Sequence, residues 1–226
     1  MPLAAGPLLC LRLEQMLVKD VMHSPVLTVD AAVTLEAAYH IMLQRNIRHI
    51  PVTQEGRLVG MITDRDIRLA TSPFAEGGAR PIETPVGQVM AQPVITGDPL
   101  DPVEEAARVM RQRKIGALPI LDGNELVGIV TGIDLLDALL RLTGVQKPSG
   151  RLEVCLDDRP GELARLSGEL AQHNINIHSL LTYPCDEGTV TTVVRIGTLD
   201  VRKLAHDLRQ KGYEVRWPPE IPGKSL

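Results

Sequence analysis

Gly60-Met61-Ile62-Thr63-Asp64-Arg65-Asp66 returns 68 positions downstream as Gly128-Ile129-Val130-Thr131-Gly132-Ile133-Asp134. In each copy an apolar run with one internal glycine gives way to a threonine, and an aspartate follows three residues later. That order predicts a strand ending at a helix N-cap. The same offset of 68 aligns Val18–Ala70 with Val86–Ala138 without a gap, and 20 of the 53 pairs are identical. Typical residue usage would give about three such matches by chance. The chain therefore carries a tandem duplication of one small unit.

Each unit reads β-α-β-β-α. An extended piece (Val26–Val29, Val94–Thr96) precedes a helix with apolar residues at helical spacing: Leu35, Ala38 and Met42, then Val103, Ala106 and Met110. Two apolar strands follow in each copy, His49–Thr53 with Leu58–Thr63 and Leu118–Leu121 with Leu126–Thr131, around the turn residues Glu55-Gly56 and Gly123-Asn124. Helices Asp64–Ala70 and Gly132–Leu142 close the units. A unit of about 55 residues has a marginal core on its own, so the two copies are expected to pack on each other. The prolines and glycines of Thr71–Pro85 mark a loop, and Pro148-Ser149 within Gly144–Gly150 marks the next boundary.

The Thr and Asp of the repeated stretch admit two readings. In one they form a capping box, each satisfying the other's backbone N–H. In the other, the helix N-terminus with its free N–H groups suits a phosphate, the threonine hydroxyl adds a donor, and the carboxylate accepts from the two hydroxyls of a ribose. The strand glycines, Gly60 and Gly128, would let backbone or ligand approach closely.

Met16–Leu142 resembles a tandem pair of CBS domains, the Bateman module, through its duplication, its Pro-Val/Ile strand and its Gly-x-x-Thr-x-x-Asp endings. The resemblance implies two units packed about a pseudo-twofold, with two clefts that hold AMP, ADP, ATP or S-adenosylmethionine. It assigns phosphate contact to Thr63 and Thr131 and ribose contact to Asp66 and Asp134. The copies differ in charge. Arg48-His49 corresponds to Gly116-Ala117 and Asp64-Arg65 to Gly132-Ile133. Arg48, Arg65 and Arg68 are either solvated surface cations or, for Arg48 and Arg65, reason to expect a more phosphorylated ligand at the first motif.

From Arg151 the pattern changes. Leu152, Val154 and Leu156 alternate as a strand, Asp157–Gly161 reads as a turn, and Leu163, Leu166 and Leu170 share a helical face. Strands Asn174–Tyr183 and Thr189–Ile196 come next, then a helix with Val201, Leu204 and Leu208, a C-terminal Gly212, and an alternating strand with Tyr213, Val215 and Trp217. The order is βαββαβ, the ferredoxin-like arrangement. Asp158-Arg159-Pro160-Gly161-Glu162-Leu163 followed by Asn174-Ile175-Asn176-Ile177 resembles an ACT domain. The resemblance implies dimerisation or amino-acid binding, with Asp158, Gly161, Asn174 and Asn176 at the matching positions. In purely conformational roles, Asp158 would cap the helix, Gly161 permit the turn, and the asparagines end the helix and start the strand.

The expected fold class is therefore α+β, two β-α-β-β-α CBS units as a pseudo-twofold pair plus a C-terminal ferredoxin-like ACT domain. The expected boundaries are a poorly ordered leader at 1–15 (with Met16 as an alternative start), CBS unit 1 at 16–75, linker and CBS unit 2 at 76–143, a linker at 144–150, the ACT domain at 151–218 and a tail at 219–226.

Composition narrows the function. The 226 residues carry 24 Lys and Arg against 28 Asp and Glu, a net charge of −4, with no basic half; a nucleic-acid binder shows the opposite balance. Aromatics are 2% of the chain, too few for a base-stacking platform, so an adenine would lie between aliphatic side chains. The three cysteines fit neither a disulfide framework nor a zinc pattern, which suits a reducing cytoplasm. No stretch approaches the apolar length that spans a bilayer. Gly223-Lys224-Ser225 lacks the leading glycine of a phosphate loop, which would fall at Pro218. The dispersed histidines, including His173 and His178, are expected to be structural or exposed, with no metal site. No nucleophile–base constellation occurs. The expectation is a non-enzymatic cytoplasmic ligand sensor, a homodimer through paired domains, working by population shift and read by a partner enzyme. The domain order resembles the CBS–ACT proteins of acetoin utilisation. A structural adaptor with empty clefts and an enzyme are the alternatives.

Overall fold

A computed structural model describes residues 16–75 and 77–220. The expected leader at 1–15, the end of the expected tail and the Gly223-Lys224-Ser225 stretch lie outside the described residues. The chain divides into two compact units between Ala138 and Leu139.

In the first unit, β1 (Val29–Asp30), α2 (Leu35–Arg45), β2 (His49–Gln54), β3 (Arg57–Thr63) and α3 (Asp64–Ala70) form the first repeat, preceded by a single helical turn, α1 (Val18–Val21). The second repeat has α4 (Val103–Arg113), β4 (Ala117–Asp122), β5 (Glu125–Thr131) and α5 (Gly132–Leu142), preceded by a 3₁₀ turn at Val86–Gln88. The first sheet runs β1-β2-β3, with β1 parallel to β2 and β2 antiparallel to β3. In the second repeat, the expected extended piece at Val94–Thr96 is not a ladder strand. Only Gly97 bridges Ile120, in parallel.

The duplication extends to backbone detail. Each hairpin slips register at the same place, between Val52 and Thr53 and between Ile120 and Leu121. Helices α2 and α4 each end on a left-handed residue, Asn46 at φ 51° and Lys114 at φ 55°, whose N–H reaches back to Met42 and Met110. The first hairpin turn needs left-handed backbone at both Glu55 and Gly56.

The segments before the repeats are exchanged. Val18 is fully buried in the core of the second repeat, with Ala106, Met110, Leu118, Ile120 and Val130. Its equivalent, Val86, is fully buried in the core of the first, with Leu35, Ala38, Ile50, Val52 and Ile62. The backbone follows the same rule. Val18 N–H donates to Asp101 C=O at 2.9 Å, and Val86 N–H donates to Val33 C=O at 2.7 Å. Burying each valine side chain stabilises the arrangement by about 1.5–3 kcal/mol, so the exchanged segments hold the two repeats together.

The second unit contains β6 (Gly150–Asp157), α6 (Glu162–Gln172), β7 (Ile177–Pro184), β8 (Thr189–Ile196), α7 (Val201–Gln210) and β9 (Glu214–Trp217). Its antiparallel sheet runs β7-β8-β6-β9, as a ferredoxin-like fold requires. Leu152, Val154 and Leu156 bury one sheet face against Leu166 and Leu170 of α6 and Leu204 and Leu208 of α7. Leu163, expected on the same helical face, is 43% exposed instead. The strand expected from Asn174 begins at Ile177, because Asn174 takes φ 55° to close α6. Gly212, at φ 86°, ends α7 as expected.

Candidate functional site

Both threonines stand where a strand passes into a helix, and both capping boxes are formed. At the first motif Asp66 N–H donates to Thr63 Oγ1 at 3.1 Å, while Thr63 N–H and its hydroxyl donate to Asp66 Oδ2 at 3.0 and 2.6 Å. At the second, Thr131 N–H and hydroxyl donate to Asp134 Oδ2, both at 2.7 Å, and Asp134 N–H reaches Thr131 Oγ1 at 3.4 Å. The cap thus uses one oxygen of each carboxylate and engages each threonine proton. What remains for a ligand is Oδ1 of each aspartate and whatever N–H groups the first helical turn exposes.

The two remaining oxygens differ. Asp134 Oδ1 lies 2.8 Å from Nε2 of His23, whereas no described residue hydrogen-bonds Asp66 Oδ1. His23 was not singled out by its sequence context. The signal that finds it is the repeat alignment, which sets it against Ala91.

The strand glycines serve neighbouring side chains. A Cβ on Gly60 would lie 2.1 Å from Met90 Sδ, and one on Gly128 would lie 2.2 Å from Met22 Sδ. Met22 and Met90 are repeat equivalents from the exchanged segments, so the close approach that the sequence reading assigned to backbone or ligand is made here by a methionine side chain.

Arg48 and Arg65 are both exposed beside the first motif. The Arg48 carbonyl accepts from Asp64 N–H at 3.1 Å, and the Asp64 carboxylate pairs with Arg68 at 3.0 Å. Next to Arg48, His49 packs against Gly116 of the other repeat, where a Cβ would lie 2.6 Å from its Nε2. Burial holds the His49 imidazole below its usual range, against the opposing pull of Asp64 and Asp66.

A cleft of about 590 Å³ opens between the repeats, lined by Leu58 and Val59 of β3, Gln92, Pro93, Val94 and Thr96, and Leu121 of β4. Its walls mix aliphatic side chains with the polar Gln92 and Thr96, and no aromatic residue lines it. Leu58 and Leu121 lie at the hairpin-turn ends of their strands, where they pair with Thr53 and Leu126. Thr63 and Thr131 pair with His49 and Ala117 at the opposite ends. The cleft and the Thr–Asp caps are therefore separate features of the same sheets.

In the second unit, Asp158, Gly161, Asn174 and Asn176 are all exposed. Asp158 does not cap α6. The N-cap is Gly161, at φ 99°, and it offers no side-chain acceptor. Asn174 ends α6, and the Asn176 carbonyl accepts from Gly197 N–H at 2.9 Å. The buried group at this turn is Glu162, which the sequence reading passed over. Arg159 and Arg165 both pair with it, at 2.9 Å each. The guanidinium of Arg165 also lies 5.5 Å from the centroid of the Tyr213 ring. Among the described residues no cluster of three His, Cys, Asp or Glu side chains is placed to hold a metal, and no helix is long and apolar enough to cross a membrane.

The family models agree with this division. The CBS domain model matches residues 18–72 and 86–141, and the ACT domain model matches residues 150–212. The CBS domain-containing protein YhcV of Bacillus subtilis is 43% identical over 118 residues, which cover 52% of this chain and 81% of that protein. A solved structure of a protein assigned to acetoin utilization, from Vibrio cholerae, is 33% identical, with a TM-score of 0.49, covering 58% of this chain and 98% of the other. The CBS domain pair of protein MJ0100, solved with 5′-methylthioadenosine and S-adenosyl-L-methionine, is 32% identical, with a TM-score of 0.48, covering 58% of this chain and 98% of that one.

Proposed function

The chain belongs to the CBS-domain family, with two CBS domains followed by an ACT domain, and from that premise we propose that it is a non-enzymatic regulatory sensor of an adenosine-containing ligand. CBS and ACT domains are regulatory modules. The observation that carries the reading is the pair of equivalent Thr–Asp caps. Each sets a carboxylate in the first turn of a helix, and Asp66 keeps one oxygen for which no described residue supplies a donor. A ribose presents two hydroxyl donors to such an oxygen, and a phosphate suits the helix N-terminus beside it. AMP, ADP, ATP and S-adenosylmethionine all carry the ribose. Arg48 and Arg65, both exposed, favour a more phosphorylated ligand at the first motif than at the second.

Signal output is a population shift. The ligand favours one arrangement of the two CBS domains to the extent that it binds that arrangement more tightly. The ACT domain contributes dimerisation or amino-acid sensing through Asp158, Gly161, Asn174 and Asn176, and the assembled homodimer acts on a partner enzyme in the cytoplasm. The domain order suggests acetoin utilisation as its setting.

Isothermal titration of AMP, ADP, ATP and S-adenosylmethionine into the wild type, Asp66→Ala and Asp134→Ala tests the reading. Binding that weakens at least tenfold in one or both variants supports it. No heat from any of the four makes the chain a structural adaptor. Equal loss of AMP and ATP in both variants removes the claim that the motifs differ in phosphate preference.

A further inference from the structure

His23 makes the two motifs unequal. Its Nε2 lies 2.8 Å from Asp134 Oδ1, and Thr131 already occupies Oδ2, so both oxygens of that carboxylate are engaged. The repeat sets Ala91 in the equivalent position. The equivalence holds in space as well as in sequence. His23 and Ile129 exchange backbone hydrogen bonds at 2.9 and 3.1 Å, and Ala91 and Met61 exchange theirs at 2.8 and 3.1 Å. Ala91 carries a methyl group, which cannot hydrogen-bond, and Asp66 Oδ1 keeps its capacity to accept.

The contact is built to be broken. The His23 side chain is 69% exposed, while Asp134 is only 12% exposed. The backbone of His23 is pinned by Ile129, so the ring can swing into solvent about its own side-chain bonds without disturbing the core.

We infer that His23 is a built-in competitor for the ligand of the second motif, so that the first motif binds openly and the second fills only by displacing the imidazole. The inference rests on the reading of the motif aspartates as ribose acceptors. A carboxylate oxygen accepts two hydrogen bonds and a ribose offers it two hydroxyls, so a ribose that places both on Asp134 Oδ1 must displace the His23 ring N–H already there. A hydrogen bond of this kind, to a carboxylate from a largely exposed partner, lowers the apparent affinity roughly 3- to 10-fold. Occupancy then follows concentration in two stages, a graded response that two identical motifs would not give.

His23→Ala gives the second motif the residue that the first already has, and Ala91→His does the reverse. Titration of both variants and the wild type with AMP and with S-adenosylmethionine, repeated on Asp66→Ala and Asp134→Ala backgrounds to assign the sites, is the test. The expected result is that His23→Ala tightens the second site roughly 3- to 10-fold and leaves the first unchanged, while Ala91→His weakens the first by a similar factor. Measurable binding with both affinities unchanged in His23→Ala overturns the competition and leaves the sensor reading intact. No binding of either probe to any variant overturns the sensor reading and the competition with it. The contact has its own readout in the ligand-free protein, the ¹⁵N shift of His23 Nε2. It is expected to move in Asp134→Asn, and a shift that stays put means the imidazole does not hold the carboxylate, which also overturns the inference.

Discussion

Met90 Sδ lies over Gly60 so closely that a Cβ on the glycine would come within 2.1 Å of it, and Met22 stands over Gly128 in the same way. Each methionine comes from the segment preceding one repeat and packs on the strand of the other. The missing side chain at each glycine is what lets the segment dock.

Gly60→Ala and Gly128→Ala are each expected to destabilise the first unit by about 1–3 kcal/mol, the usual consequence of overpacking a close contact. Gly132 is the control. It has open space around its Cβ position and no left-handed φ, so Gly132→Ala is expected to be neutral or to stabilise by up to about 1 kcal/mol. Denaturant midpoints of the three variants check the contrast, and a cost at Gly132 equal to that at Gly60 would count against it.

The exchange of Val18 and Val86 predicts a crossed pattern of damage. Val18→Ala is expected to cost about 1–3 kcal/mol and to speed hydrogen exchange at Leu118 and Ile120, far along the chain, before it affects Ile50 and Val52. Val86→Ala is expected to do the opposite. Amide exchange measured residue by residue decides between this and damage confined to the mutated repeat.

The caps contribute to stability whether or not a ligand binds. Thr63→Ala and Thr131→Ala each remove an N-cap acceptor and are expected to cost about 0.5–2 kcal/mol. Thr→Ser at either site keeps the hydroxyl and should recover most of that in thermal denaturation. A ligand-only role for the hydroxyl would leave the apo protein's midpoint unchanged in both alanine variants.

His49 gives the first unit a pH dependence of known sign. Its ordinary value is 6.5, and burial depresses it in the folded state, outweighing Asp64 and Asp66, with Arg48 adding to the depression. The unfolded chain therefore binds the proton more readily than the folded one. This contribution to stability is complete above 6.5 and is lost as pH falls from there through the folded value. The melting temperature is expected to drop between about pH 7.5 and about pH 5.5, and by less in His49→Ala, which takes the residue present at the equivalent position 117. An equal drop in both proteins would assign the effect to other groups.

The parts of the fold that were legible are those set by neighbours in the chain. Helices α2 and α4 show in the spacing of Leu35, Ala38 and Met42 and of their counterparts, and the hairpins show in apolar runs broken by Glu55-Gly56 and Gly123-Asn124. Helix α1 was not legible, because a single turn has no period to detect. β7 starts later than its β-branched run implies, because the left-handed turn at Asn174 carries the chain past Asn176 before pairing begins. At the candidate site, Thr63, Asp66, Thr131 and Asp134 were found by their repetition. His23 was missed because a solitary exposed histidine carries no local signal, and only its distance from Asp134 gives it a role.

The sequence alone determined the duplication, the long helices and hairpins of each repeat, the βαββαβ order of the second unit and the Thr–Asp spacing that permits a capping box, because each depends on residues a few positions apart whose periodicity or hydrogen bonding is local. The tertiary structure decided which repeat each leading segment belongs to, why Gly60 and Gly128 have no side chain, and which of two equivalent aspartates is engaged by His23. Those depend on contacts between residues 30 to 111 positions apart, such as Met90 with Gly60 and His23 with Asp134, and such contacts are fixed by the shape of a shared core that no local pattern encodes.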